Sequence, residues 1–405
     1  MTLRAALAAT AGLAATAGLA HAGGLERPNA IAARAIGQGG AFVAIADDAT
    51  AWHWNPGAAA LAAANVVVGG ELVIAPRSYT PIDAAGVRGP TQAPDTPVAP
   101  VPTLAIAARV SDRVTLGAGL WNPYGGQLRY QPTGAPAIDA TTELVLEGVA
   151  GVAYRVSSRL AIGATARVGV GLFAVETTMR PVTSDVSGSG VGLGVGLGVA
   201  WRPHPRLAVG ATWRSAMTIE TTGEGELDLA GGLTLDMAHV QRWPQAVEVG
   251  VAVAATRALR VAAQLDWTGW SRFEELEVRF PAEPAADQLY LLDWQDSLTA
   301  RVGVEWTATP ALALRAGGYV DGNAVPDRTL ERQYLDSTKL GGAVGVGLRV
   351  GRWRADVAFD LVAGPPRVVR DNRTQVGPWG TRANLAPGEH DGSVYTFALT
   401  FGRRL

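Results

Sequence analysis

The chain has 405 residues, with 34 Lys+Arg against 36 Asp+Glu, a formal net charge of −2 and no cysteine. That balance gives no electrostatic reason to expect a nucleic-acid partner, and zero cysteine excludes a disulfide framework and any thiolate metal site. Apolar residues make up 48% and charged ones 17%, yet past the first residues no unbroken apolar run reaches the roughly 18 needed for a helical membrane span.

Residues 1–22 have the form of an export signal: Arg4, an Ala/Leu-rich core over 5–19, and Ala20-His21-Ala22 as a small-x-small cleavage site. Residues 23–64 do not alternate. They are small and Gly-punctuated, and Asn55 followed by Pro56 is a helix start with Asn as N-cap and Pro at the first helical position. Some forty such residues cannot build a core of their own. They are expected to plug a larger container as a hatch, with a flexible tail as the alternative.

From residue 65 the period is two. Fourteen strands are predicted, near 65–75, 101–110, 113–121, 143–156, 159–174, 190–202, 206–220, 245–255, 258–268, 297–308, 311–320, 338–350, 352–362 and 393–403. Apolar residues take one face, as in Leu298, Ala300, Val302, Val304 and Trp306, and Thr299, Arg301 and Glu305 take the other. A dry sandwich core would not accept so many charges, whereas a wet or plugged lumen does. Trp121, Trp201, Trp213, Trp267, Trp306, Tyr319 and Trp353 sit near strand ends, as an aromatic girdle requires. The glycines at 192, 194, 196 and 198 leave one inner face almost bare, which allows a ligand or a plug to approach.

Short links carrying Arg or Pro, such as Val-Ser-Asp-Arg-Val at 110–114 and Val-Ser-Ser-Arg-Leu at 156–160, alternate with long loops near 76–100, 122–142, 175–189, 221–243, 269–296, 321–337 and 363–392. That is the asymmetry of an outer-membrane barrel, with turns at the periplasm and loops outside. The fold expected is all-β: a fourteen-stranded antiparallel transmembrane β-barrel over 65–405 with an N-terminal hatch over 23–64 in its lumen. Multi-pass insertion in a Gram-negative cell outer membrane follows, with membrane lipid and lipopolysaccharide as surroundings and a monomer as the expected state.

Certain segments carry a resemblance. Residues 34–42 (Arg-Ala-Ile-Gly-Gln-Gly-Gly-Ala-Phe), Ala46-Asp47-Asp48-Ala49 and Asn55-Pro56 resemble the hatch of the FadL/TodX family of outer-membrane hydrophobic-compound transporters. Gly210-Ala211-Thr212-Trp213-Arg214-Ser215 and Leu314-Arg315-Ala316-Gly317-Gly318-Tyr319 extend the similarity along the barrel. It implies passive uptake of long-chain fatty acids or related compounds, or alternatively of aromatic hydrocarbons, with lateral exit through the wall or, as the alternative, exit past the hatch. Gly37, Phe42, Asp47, Asp48, Asn55 and Pro56 are then the hatch and gating residues. Gly57 stands where the family usually has Ala, which predicts a looser helix start, and the chain ends Phe401-Gly402-Arg403-Arg404-Leu405 without the usual terminal aromatic.

An apolar surface is legible in the loops. Phe173 and Met179 on one side, with Leu229, Leu233, Leu235 and Met237 on the other, form either a ligand surface or a hairpin packed on its neighbours. The resemblance assigns first capture to these third and fourth outer loops. Arg109, Arg167, Arg214, Arg301 and Arg315 face the lumen and are candidate partners for a ligand carboxylate, with pairing to lumen acids such as Glu248, Glu305 and Asp356 as the alternative. His53, His204, His239 and His390 are scattered and no Gly-x-Ser-x-Gly is present, so neither catalysis nor a metal or cofactor is expected. A general porin would leave the plug without a purpose.

Overall fold

The computed structural model describes residues 31–95, 98–131, 137–179, 182–228, 232–370, 375–377, 380–382 and 387–405. The expected signal, 1–22, lies outside the described residues. Fourteen strands form the barrel: β1 (Asn65–Ile74), β2 (Val98–Arg109), β3 (Val114–Arg129), β4 (Ala137–Arg155), β5 (Leu160–Met179), β6 (Val182–His204), β7 (Leu207–Arg214), β8 (Ala246–Ala254), β9 (Leu259–Thr268), β10 (Ser297–Thr307), β11 (Leu312–Asp321), β12 (Lys339–Val350), β13 (Trp353–Ala363) and β14 (Gly388–Arg404). Each pairs antiparallel with the next, and β14 closes on β1 with Asn65 opposite Arg404. Closure removes the sheet edges, which lipid could not hydrogen-bond.

The outward face is a band of exposed Val, Leu, Ile and Phe, and on β10 Val302 is 59% exposed while Arg301 and Glu305 point inward and are buried. Trp201, Trp306 and Trp353 face out at the periplasmic end. Trp121 and Tyr319 do not join the girdle: both are buried on the inward side.

Four of the recurring short links have a shared cause. Ser111 Oγ accepts from the N–H groups of Arg113 (3.3 Å) and Val114 (3.1 Å). Ser157, Thr256 and Thr309 repeat this two and three residues on. The side chain thus satisfies backbone donors that a tight turn strands.

The outer side departs from expectation. The strand expected over 206–220 stops at Arg214, and Met217–Leu227 pairs instead with the outer part of β6 and with Leu233–Trp243. The fourth loop is therefore a β-hairpin. The third loop is mostly strand as well, because β5 and β6 continue their ladder to Met179 and Val182.

Two large buried cores and three smaller clusters fill the interior among the described residues. One large core surrounds the hatch, with Phe42, Trp52 and Trp54 against Ala105, Ala161 and Ala200 of the wall. The other joins the outer loops to the upper barrel around Trp243, Trp270, Phe273 and Trp294.

Candidate functional site

The hatch is held by its backbone. It contains α1 (Ala33–Ile36), α2 (Ala51–Trp54) and a 3-10 helix, Pro56–Leu61. Asn55 caps that helix, its Oδ1 accepting from Gly57 N–H at 3.1 Å, while its Nδ2 donates to the carbonyls of Val43 (3.0 Å) and Val199 (2.9 Å). Glycines of the wall let it approach. A Cβ on Gly198 would lie 2.4 Å from Asn55 Oδ1 and 2.7 Å from Pro56 Cδ, and one on Gly37 would lie 3.0 Å from Gly345 Cα. Gly57 belongs to the same set: its Cβ would meet the Gly198 carbonyl at 2.7 Å. Its missing side chain therefore permits close docking, in place of the loosened helix start expected from sequence. Gln264 Oε1 accepts from both Phe42 and Val43 N–H at 2.9 Å, and Glu71 Oε1 accepts from Ala32 N–H at 3.0 Å. Ile31 (φ 64°), Ala32 (φ 76°) and Ala46 (φ 27°) are left-handed, which costs of order 1–3 kcal/mol each. The wall contacts hold that strain in place.

Ion pairs complete the docking. Arg34 is buried and binds Asp47, Asp48 (3.5 Å) and Glu305 (3.3 Å). Glu305 also receives Arg315 at 2.8 Å, and Arg315 reaches Asp356 at 2.9 Å. Burial alone would raise the Asp47 carboxyl, but Arg34 and Arg260 override it and hold Asp47 well below the usual carboxylate range.

The five candidate arginines are engaged within the protein. Arg109 donates to the Ala62 carbonyl at 2.9 Å, at the end of the hatch helix. Arg167 binds Glu147 (3.0 Å) and the Ser215 carbonyl (2.9 Å). Arg214 pairs with Glu248 at 2.8 Å and lies 3.1 Å from His53 Nε2. Arg301 pairs with Asp266 and donates to the Gly39 carbonyl at 3.3 Å.

Above the hatch, ring meets ring. Tyr124 stacks on Trp243 at 5.3 Å, and Phe273 lies 4.7 Å from Trp294, 5.8 Å from Trp270 and 6.3 Å from Trp243. The indole N–H groups of Trp243, Trp270 and Trp294 are buried with no hydrogen-bond partner among the described residues. Of the expected loop surface, Phe173 and Met237 are buried in this cluster and Leu235 packs against it. Leu233 is 39% exposed at the hairpin end, Leu229 lies outside the described residues, and so does the side chain of Met179. Sequence reading missed Trp243, Trp270, Phe273 and Trp294; their crowding at the two ends of the fourth and fifth loops was the available signal. Phe173 also stacks on His239 at 3.9 Å. Burial pushes His239 down to about 4, and its Nδ1–H donates to the Glu277 carbonyl at 2.8 Å.

The ladder of the wall has a gap, a slot in its hydrogen bonding. β2 and β3 pair only from Leu104/Leu120 to Arg109/Thr115, although β2 stays bonded to β1 up to Val98. Above that point β3 bulges between Trp121 and Tyr124, where Asn122 Nδ2 donates to the Val145 carbonyl at 2.7 Å. Parity explains the loss of pairing. Val110 N–H points to β3, bonding the Val114 carbonyl at 3.0 Å, so every even position of β2 faces that neighbour. Two of these are Pro100 and Pro102, which have no N–H to give. The slot is closed above by Asp95 N–H, which donates to the Arg129 carbonyl at 2.8 Å.

A closed up-and-down barrel with an apolar outer band, short turns at one end and a packed N-terminal segment inside defines an outer-membrane transport barrel of Gram-negative type. The chain belongs to the outer membrane protein transport protein family (OMPP1/FadL/TodX), matching it over residues 13–405. It is similar to the crystal structure of a Pseudomonas aeruginosa FadL homologue (TM-score 0.82, 16% identity, covering 94% of this chain and 99% of that one). The Pseudomonas putida toluene transporter TodX (0.74, 15%, 94% and 99%) and the Ralstonia pickettii toluene transporter TbuX (0.69, 17%, 94% and 99%) are similar too. At such identities the likeness concerns the fold. No curated protein matches the chain in sequence.

Proposed function

We propose that this protein is a hatch-gated passive conduit for neutral hydrophobic molecules of ring size, aromatic hydrocarbons ahead of long-chain fatty acids. The observation that carries this reading is the aromatic cluster above the hatch, set against five lumen arginines already bound to protein acids or carbonyls. A ring burying roughly 200 Å² of apolar surface gains about 5 kcal/mol before ordering costs. A fatty acid would gain from its chain but would have to displace a buried ion pair to seat its carboxylate. Phe173, Leu235 and Met237 form the entry side of this surface. The hatch residues Gly37, Phe42, Asp47, Asp48, Asn55 and Pro56 block the straight path, which favours exit through the slot beside Pro100 and Pro102.

Purified protein in detergent, titrated with toluene and with hexadecanoate while tryptophan emission is followed, tests the reading. Toluene is expected to quench and to bind more tightly. Tighter binding of hexadecanoate, weakening as its carboxylate is protonated, would instead identify an acid transporter. Replacing Pro100 and Pro102 by Ala restores two donors to the slot edge, and is expected to slow toluene flux into proteoliposomes with binding unchanged.

A further inference from the structure

The net charge of −2 conceals a strongly basic periplasmic mouth. A cavity of about 450 Å³ opens there beneath the hatch, lined by nine arginines and only three acids. The three acids, Asp47, Asp48 and Asp356, are bound by Arg34, Arg260 and Arg354. The remaining six, Arg202, Arg206, Arg349, Arg352, Arg403 and Arg404, form no ion pair within 4 Å among the described residues. Arg202 and Arg206 come from the β6–β7 turn, while Arg349, Arg352, Arg403 and Arg404 come from the β12–β13 turn and the end of β14. In the ring order these two groups lie on opposite sides of the barrel, so all but Arg403, which lies over the outward-facing Trp353 ring at 5.3 Å, face one cavity from across its mouth. Like charges converging on a concavity repel and gain from a shared counter-anion.

We infer that this vestibule is a binding site for a phosphate-bearing anion. Guanidinium groups arriving from several directions suit the multiple oxygens of a phosphate better than a single planar carboxylate. Two sources share that chemistry: a soluble phosphate ester of the periplasm, and a phospholipid headgroup of the inner leaflet. The site adjoins the hatch latch, because Arg34, Asp47 and Arg260 line the same cavity. A bound anion competes with Asp47 for Arg260, 3.4 Å away, and thereby loosens the hatch from its periplasmic side. This assignment is independent of what the conduit carries.

Full-length protein in phosphatidylcholine nanodiscs is titrated calorimetrically with inorganic pyrophosphate at low salt. The expected result is saturable binding that falls at least about tenfold in Arg202→Gln/Arg206→Gln/Arg349→Gln/Arg352→Gln and is unchanged in Arg113→Gln/Arg159→Gln/Arg257→Gln, which removes charge from turns outside the cavity. Heat-modifiable migration on gels verifies that each variant is a folded barrel. Nanodiscs containing phosphatidylglycerol separate the sources: pyrophosphate affinity is retained if the anion is soluble and suppressed if headgroups already occupy the site. Absence of pyrophosphate binding in phosphatidylcholine, equal loss in both variants, or equal competition by acetate would overturn the phosphate site.

Discussion

In the hatch the wall comes to the backbone: Gly345 lies against Gly37, and Gly198 against Asn55 and Pro56. In the outer cluster contact is made by rings, with Phe273 at the centre of three indoles. Both regions are buried, but they fail differently. Backbone docking tolerates no added atom, and its buried charges have to stay paired. Ring packing loses energy in proportion to volume removed and leaves a cavity that another ring can fill. The first arrangement suits a part that is seated or unseated. The second suits a part that can trade its own rings for those of a ligand.

Variants can break this contrast, and the largest effect is expected at the glycine contacts. Gly198→Val puts side-chain atoms where Asn55 and Pro56 already sit, and is expected to cost more than about 4 kcal/mol of hatch docking. Liposome swelling with small sugars should rise, and an unchanged rate would mean that the hatch does not depend on the close approach. Glu305→Gln leaves Arg34 and Arg315 short of their shared acid, an expected loss of about 3–5 kcal/mol. Hydrogen exchange should show it over residues 31–61 with the strands unaffected.

The outer cluster should respond more gently. Trp270→Phe keeps a ring and deletes an N–H that has no partner among the described residues, so about 1 kcal/mol or less is expected in thermal melts. The smallest effect is a pH dependence. Burial pushes Glu331, in an outer loop, up to about 8 against an ordinary 4.5, with Arg332 opposing the rise. The folded loop therefore keeps a proton that the unfolded chain releases. Its contribution to packing is full below about pH 4.5, falls as pH rises toward 8, and is level above that. Near-ultraviolet circular dichroism between pH 6.5 and 8.5 should record the loosening, and Glu331→Gln should flatten it.

Much of the barrel could be read from the chain because the physics there is local. Ser111, Ser157, Thr256 and Thr309 mark turns by bonding residues two and three away, and inside-outside alternation is a property of each strand alone. The hairpin of 217–243 could not be read, since residues 206–220 alternate without a break and only the partner strand changes. Trp121 faces the lumen by plain alternation, on the side of Thr115, Gly117 and Gly119; its place near a strand end suggested a girdle, and parity, which decides the face, pointed inward. The Arg34–Glu305 pair spans 271 residues, and no spacing rule reaches that far. Pro100 and Pro102 were visible all along, but their meaning depends on which neighbour their nitrogens face.

Those two prolines leave a slot with a fixed frame. Below it the ladder resumes at Leu104 and Leu120, and above it the chain is pinned by Asp95 on Arg129. The unpaired stretch is thus bounded at both ends. For the proposed exit this makes girth, and not length, the quantity that is sorted: slender molecules pass end-on however long they are, and broad fused ring systems are turned back.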